Sequence, residues 1–369
     1  MRATRALVYP DRFRGNIRAV RERIGPKRRI CVPVKADAYG HGSLPLARAA
    51  LEAGAECLAV AFVQEGQELR QGGVPDAPIL LLSQPLPDEL GDLVRYNLSP
   101  FVSDIPFIDA LAATTAPITV HLKVDTGMGR AGCCPEDALA LARRIVSHGG
   151  LRLGGIATHL AVSDSLLPED MAYTRDQLGR FRTAVEAIRD AGIDPGIVHA
   201  ANSGGVLYHP DSWFDMVRPG ILLYGYPPSR DATPVDVRPV MELHSNVVAI
   251  KKMRKGESVS YGRTWTAPED TLIAVVPAGY GDGLRRSLSN NWQVVIQGKP
   301  YPIVGRICMD QCMVNLGPPE PDTPVSTGDD VIIFGETAPY TAAEMAERLG
   351  TIPYEITCGI VKRVPRVYV

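Results

Sequence analysis

Lys35 stands directly after a short apolar run, Ile30 to Val34, that reads as a buried strand, so its amine is set against apolar walls. An ammonium there is costly unless it is paired, neutralised or covalently engaged. Desolvation lowers a lysine's pKa and frees the amine as a nucleophile toward carbonyls. The plainer reading is a strand-end lysine that reaches solvent or pairs with Asp37. Tyr39, Gly40 and Gly42 shift the balance, because a hydroxyl and two permissive backbone positions within one turn suit a loop wrapped around a bound group.

Further candidates recur downstream, each just past an apolar run. Lys123 and Asp125 follow one run, with Arg130 beyond the turn 126–129; His159 ends another; His199, Asn202 and Ser203 follow a third; Arg218 and Gly220 sit in a fourth. Singly, His159 reads as a hydrogen-bonded core histidine, Arg218 as a buried ion-pair partner, and Lys123 and Arg130 as partners of nearby acids. Their shared position is what argues for a site. Ser203-Gly204-Gly205 and Gly220-Ile221 also offer backbone N–H groups of the kind that bind phosphate at a helix start. A carbonyl-bearing cofactor with a phosphate tail, bonded to Lys35, is pyridoxal phosphate.

The elements that must position these groups are legible in the hydrophobic pattern. Eight β-like runs, 30–34, 57–62, 79–82, 98–102, 118–124, 153–159, 197–200 and 214–224, alternate with helical segments such as 135–148 and 169–191. The first of these helices opens with proline and two acids, as helix starts prefer. Eight strand-helix units in about 225 residues predict an α/β fold, a (β/α)8 barrel whose functional groups lie at the C-terminal ends of its strands. A doubly wound open sheet is the rival, but no Gly-x-Gly-x-x-Gly opens a helix. Residues 225–239 are proline-rich and lack periodicity, as a linker would. The runs 246–250, 272–276, 293–297, 302–307 and 330–334 predict a mostly β second domain with one helix at 341–349. The expected domains are 1–229 and 230–369, with residues 1–10 available to pair with the β domain.

With 369 residues, 45% hydrophobic, 22% charged and a net charge of -2, the chain reads as soluble and two-domain. Nothing points to nucleic acid or a membrane, and no signal-peptide core follows Met1. Seven cysteines form no even-numbered framework, so a reducing, cytoplasmic compartment is expected. Cys308 and Cys312 lack the usual zinc spacing and read as structural or as neighbours of a site; no metal is expected.

The string 32–42 resembles the pyridoxal-phosphate lysine motif of alanine racemases, and the resemblance runs along most of the chain. His-Leu-Lys-Val-Asp-Thr-Gly-Met-Gly-Arg-Ala-Gly (121–132), Thr-His-Leu-Ala (158–161), His-Ala-Ala-Asn-Ser (199–203) and Met-Val-Arg-Pro-Gly-Ile (216–221) are similar to that family's signatures. So are Val-Ser-Tyr-Gly-Arg-Thr (259–264), Gly-Tyr-Gly-Asp-Gly (279–283) and Val-Gly-Arg-Ile-Cys-Met-Asp-Gln (304–311), all in the β domain. The resemblance implies a homodimeric isomerase that interconverts L- and D-alanine for peptidoglycan.

Racemisation removes a Cα proton from one face and returns one to the other, so two acid-base groups must flank the cofactor. Lys35 is one. The resemblance makes Tyr261 the other, contributed across a head-to-tail dimer. A phenol titrates near about 10 in water, so this role requires a lowered pKa or a well-placed proton path, with His159 beside Arg218 as the expected influence. Arg218 facing the pyridine nitrogen keeps the ring unprotonated and the electron sink weak. The resemblance also implies cofactor contacts from Tyr39, Arg130, His159, Asn202, Ser203, Gly220, Ile221 and Tyr354. Arg130 and Met309 would bind the substrate carboxylate, a carbamylated Lys123 would hold Arg130, and Tyr280, Arg306 and Asp310 would line the entrance. A serine or broad-specificity racemase of the same fold is the alternative. An amino-acid decarboxylase is disfavoured by Arg218, and a non-catalytic cofactor carrier by Tyr261 and Met309.

Overall fold

The computed structural model describes residues 2–74, 76–114, 116–229, 233–319, 325–336 and 340–369. Two units emerge: one of Asp11–Ala38 with Gly42–Val237, the other of Met1–Pro10, Tyr39–His41 and Arg238–Val369. The expected boundary between 229 and 230 falls at residues 230–232, outside the described residues.

The first unit is a closed barrel of eight parallel strands, as the alternating pattern predicted. They are Arg29–Pro33, Cys57–Val60, Ile79–Leu81, Ser99–Val102, Ile118–Lys123, Leu151–Ala157, Ile197–His199 and Met216–Val217. Closure comes from the eighth pairing with the first, Arg29 opposite Met216 and Ile30 opposite Val217. Helices cover the barrel, so strands such as Cys57–Val60 and Ile79–Leu81 are buried along their whole length and read as continuous apolar runs. The helix Ala138–Val146 shows the complementary logic, burying Ala138, Leu141, Ala142 and Ile145 on one face.

The eighth strand is much shorter than the run 214–224 suggested. Pro219 cannot donate to a ladder, and beyond Gly220 the chain forms a buried 3-10 turn, Ile221–Tyr224. That turn ties back to the first strand, since the Tyr224 hydroxyl donates to the Pro33 carbonyl at 2.8 Å. The apolar content of 221–224 reflects core packing rather than strand geometry.

The second unit is built on a nine-stranded sheet among the described residues, mostly antiparallel. Its N-terminal strand Arg5–Val8 lies between Met241–Asn246, antiparallel, and Arg366–Tyr368, parallel. The strands Met241–Asn246, Ala249–Met253 and Cys312–Gly317 were not resolved correctly by pattern. Cys312–Gly317 does alternate buried and half-buried, but its cysteine, asparagine and glycine blur the signal. A second short helix, Pro353–Cys358, accompanies Ala342–Arg348. No helix among the described residues is long and apolar enough to cross a membrane.

Within this sheet His244 is clamped between two carboxylates, with Nδ1 at 2.7 Å from Asp330 and Nε2 at 3.0 Å from Glu242. Burial works against the imidazolium, but the hydrogen bonds and charges of Asp330 and Glu242 outweigh it and raise the pKa above the ordinary 6.5. The sign follows: this contribution to stability is full below about 6.5 and is lost as pH rises through the raised folded value. His244→Gln should cost about 1–3 kcal/mol near pH 6 in urea unfolding, with the gap to wild type narrowing as pH rises through the folded-state pKa. A gap that widens with pH would contradict this account.

Candidate active site

Lys35 is half-buried at the C-terminal end of the first strand, and the backbone after it turns the wrong way for L-residues. Ala36 (φ 51, ψ 50), Asp37 (φ 53, ψ 48) and Ala38 (φ 51, ψ 53) form a left-handed turn that continues through Tyr39 (φ 55). Each non-glycine residue so placed costs about 1–2 kcal/mol, and such strain persists only where the surroundings impose it. Glu65 supplies part of that constraint. Its Oε1 accepts the Ala36 N–H at 2.6 Å, and its Oε2 accepts those of Ala61 and Phe62. The turn is closed by Gly42 N–H donating to the Asp37 carbonyl and by Asp37 Oδ1 accepting from Ser43 N–H.

Arg218 is buried at the end of the eighth strand, where an unpaired charge would be costly. It is therefore surrounded by acceptors. Nη1 meets His199 Nδ1 at 2.6 Å, and Nη2 donates to the carbonyls of Thr158 (2.7 Å) and Ala200 (3.2 Å). His199 Nε2 in turn lies 2.9 Å from His121 Nδ1. Burial pushes Arg218 down only to about 10, so it remains a cation. Burial and the nearby Arg218 charge hold His199 well below its usual range and His121 at about 3, so both rings are neutral. His159, expected beside Arg218, feels that charge without a hydrogen bond to it; the imidazole bonded to Arg218 is that of His199. His159 is likewise held well below its usual range by burial first and Arg218 second.

His121 was not singled out from sequence, although a signal existed. In the neighbouring strand Gly155 lies opposite His121, and a Cβ there would stand 2.4 Å from His121 Nδ1. A Cβ on Gly154 would stand 2.3 Å from Thr119 Cγ2. Adjacent glycines inside a strand mark such close approach.

Lys123 ends the fifth strand with its amine buried and no hydrogen bond or ion pair among the described residues. Burial, then the charge of Arg218, lowers its pKa well below 10.5. The following loop is organised by Asp125, which accepts the backbone N–H groups of Gly127, Met128 and Arg130. Burial raises the Asp125 pKa, but those N–H groups outweigh it and the carboxylate is stabilised. The Arg130 side chain is exposed and makes no ion pair among the described residues, while its backbone N–H is held by Asp125.

Two backbone segments offer donors for an anion. Ser203 begins the helix Ser203–Tyr208, Ile221 begins the 3-10 turn, and the N–H groups of Ser203, Gly204 and Ile221 have no backbone acceptor among the described residues. Ser203 Oγ joins the segments by accepting from Gly220 N–H at 2.9 Å and Leu222 N–H at 3.3 Å. The Asn202 side chain builds this helix start: Oδ1 accepts from Gly205 N–H and Ser163 Oγ, and Nδ2 donates to the Leu160 carbonyl.

The remaining sequence-predicted residues lie in the second unit. The rings of Tyr39 and Tyr354 pack at 5.6 Å between centroids. Tyr261 projects into solvent at 71% exposure, and Ser260 beside it, at φ 64, donates to the Arg306 carbonyl at 2.6 Å. Cys308 Sγ lies 3.4 Å from Ser260 Oγ, while Cys312 is buried. Tyr280 and Met309 are brought together by backbone bonds, Tyr280 N–H to Cys308 O and Gly281 N–H to Met309 O. A Cβ on Gly279 would stand 2.3 Å from the carbonyls of Cys308 and Met309. Asp310 pairs with Arg363 at 2.8 Å, and Arg363 pairs with the buried Asp282 at 2.7 Å.

Comparison with known proteins agrees with this arrangement. Residues 8–228 match the family described as alanine racemase, N-terminal domain, and residues 240–368 the one described as alanine racemase, C-terminal domain. The chain is 47% identical to the alanine racemase of Treponema denticola, covering 100% of this chain and 99% of that one. It is 45% identical to that of Treponema pallidum, covering 100% of both. Among solved structures, the alanine racemase of Clostridium difficile superposes with a TM-score of 0.93 at 35% identity, covering 100% of this chain and 96% of that chain. The Bacillus anthracis alanine racemase with bound L-Ala-P gives 0.92 at 35% identity, covering 100% and 95%.

The anion cradle can be tested at Gly204, where an added Cβ would stand 2.5 Å from the Ser163 carbonyl oxygen. Gly204→Ala should move the helix start and weaken binding of pyridoxal phosphate, the phosphate-tailed cofactor expected from the sequence, at least about tenfold, roughly 1.4 kcal/mol, while the far-ultraviolet circular dichroism stays near wild type. Unchanged affinity in a titration of the cofactor's visible absorbance would exclude this cradle.

Proposed function

The chain belongs to the alanine racemase family and is a racemase, hence an isomerase, and on that footing we propose that it interconverts L-alanine and D-alanine using pyridoxal phosphate. Two copies share each site, and the enzyme works in the cytoplasm to supply D-alanine for peptidoglycan. The observation that carries the reading is the donor set of the barrel: the Lys35 amine, the buried Arg218 cation and the open N–H groups of Ser203, Gly204 and Ile221. These fit an aldehyde, a ring nitrogen and a phosphate.

Bound pyridoxal phosphate supplies a carbonyl that joins an amine and a conjugated ring that accepts the electrons left when Cα loses its proton. Arg218, a cation that does not release its proton at neutral pH, would hold the ring nitrogen as a hydrogen-bond donor and leave it unprotonated. Such a holding would favour return of the proton to Cα over transamination or elimination. His199 and the carbonyls of Thr158 and Ala200 fix the guanidinium plane while it does so. By the family resemblance Tyr39 and Tyr354, whose rings pack on each other, would hold the phosphate.

Lys35 takes or returns the Cα proton on one face, and the partner subunit's Tyr261 does so on the other. The support is the exposure of three large side chains on the second unit, Tyr261 at 71%, Met309 at 52% and Tyr280 at 42%, as a face awaiting another copy would show. Arg130 binds the substrate carboxylate, as does the N–H of Met309 from the other copy, and Arg306, Asp310 and Tyr280 narrow the entrance. Lys123, a buried amine whose pKa burial and the Arg218 charge lower, is a better nucleophile toward carbon dioxide than an exposed lysine, and its carbamate would hold Arg130 by charge.

Purified protein should turn over L-alanine faster than L-serine, and borohydride reduction of the cofactor-loaded protein followed by peptide mass analysis should label Lys35. A label on Lys123, or equal rates with serine, would overturn this assignment.

Site sharing has its own test. Mixing Lys35→Ala with Tyr261→Phe subunits in equal amounts should restore roughly a quarter of wild-type activity, since half the dimers are mixed and each carries one intact site. No recovery after verified subunit exchange would argue for self-contained sites.

A further inference from the structure

The opposite, N-terminal mouth of the barrel is not packed shut. A cavity of about 820 Å³ opens there, lined by the starts of the strands and including Arg29, Arg152 and His121. Barrel floors normally serve stability and are filled by side chains. Glycines at 154 and 155 leave room here, and His121 reaches the cavity with one edge of its ring while the other bonds His199.

The hydrogen-bond chain fixes what that edge presents. A guanidinium can only donate, so His199 Nδ1 must accept from Arg218. The His199 proton therefore sits on Nε2 and is donated to His121 Nδ1, which leaves the His121 proton on Nε2. The floor of the cavity thus ends in an N–H with no acceptor among the described residues. Of the acids around the cavity, Glu56 is paired with Arg21 and accepts the Ile30 N–H, Asp194 accepts the Gly196 N–H, and Asp76 lies close enough to Arg70 to act on its charge. The positive groups are less spent. Arg29 makes no side-chain hydrogen bond among the described residues, and Arg152 bonds only the Thr119 hydroxyl, through Nε and Nη2.

We propose that this cavity binds a small carboxylate, one oxygen of which accepts the His121 Nε2–H while Arg29 and Arg152 neutralise its charge. The ligand acts on Arg218 through His199, because an anion at the far end of the chain makes each successive ring nitrogen a better acceptor. That second step rests on the racemase reading only in so far as Arg218 serves the cofactor; the binding step does not.

Sodium acetate, with chloride at matched ionic strength as the control, is the probe. In cofactor-loaded protein carrying 15N-histidine, acetate should shift the His121 signal saturably and the His199 signal by less. Arg29→Leu combined with Arg152→Leu should raise the acetate Kd at least about tenfold, whereas Arg130→Leu should leave the His121 shift intact. A shift that survives the double substitution, that disappears in Arg130→Leu, or that never saturates would overturn the proposal. Failure of alanine turnover with the acetate response preserved would count against the racemase reading and not against this site.

Discussion

Burying a guanidinium inside a parallel barrel is the constraint from which much of this site follows. Arg218 cannot lose its charge at neutral pH, and removing acceptors from a buried cation costs several kcal/mol, so the barrel must surround it with lone pairs. Two backbone carbonyls and one imidazole do so. The imidazole then needs its own partner, His121, and that ring needs the space left by Gly154 and Gly155. One charge at the C-terminal mouth thereby dictates tautomers and glycines as far as the barrel floor.

The same cation sets the electrostatics of its neighbours. Lys123, His121, His159 and His199 all have lowered pKa values, with burial the larger cause and Arg218 the next in each. The mouth therefore holds buried bases with lowered pKa values around the buried positive charge of Arg218.

A second constraint is the strained left-handed turn after Lys35. Strand pairing before it, the Glu65 clamp and closure through Gly42 leave the lysine little freedom to move off its position. Stability elsewhere, in the buried strands of the barrel and in charge pairs such as Asp282 with Arg2 and Arg363, offsets a local cost of this kind. A side chain held in this way keeps its amine at one defined point of the mouth.

By itself the sequence determined the (β/α)8 barrel, the β-rich second unit and the position of Lys35 at a strand end, because apolar period and strand-helix alternation are local properties. It also carried the family, through motifs short enough to be read directly. Only the tertiary structure decided that His199 rather than His159 bonds Arg218, that Asn202 spends its side chain on the helix start, and that 221–224 is a turn. It also decided that His121 links Arg218's partner to an open barrel floor. Those facts depend on which strands become neighbours when the barrel closes, and on where glycines leave room between them, and no local pattern encodes either.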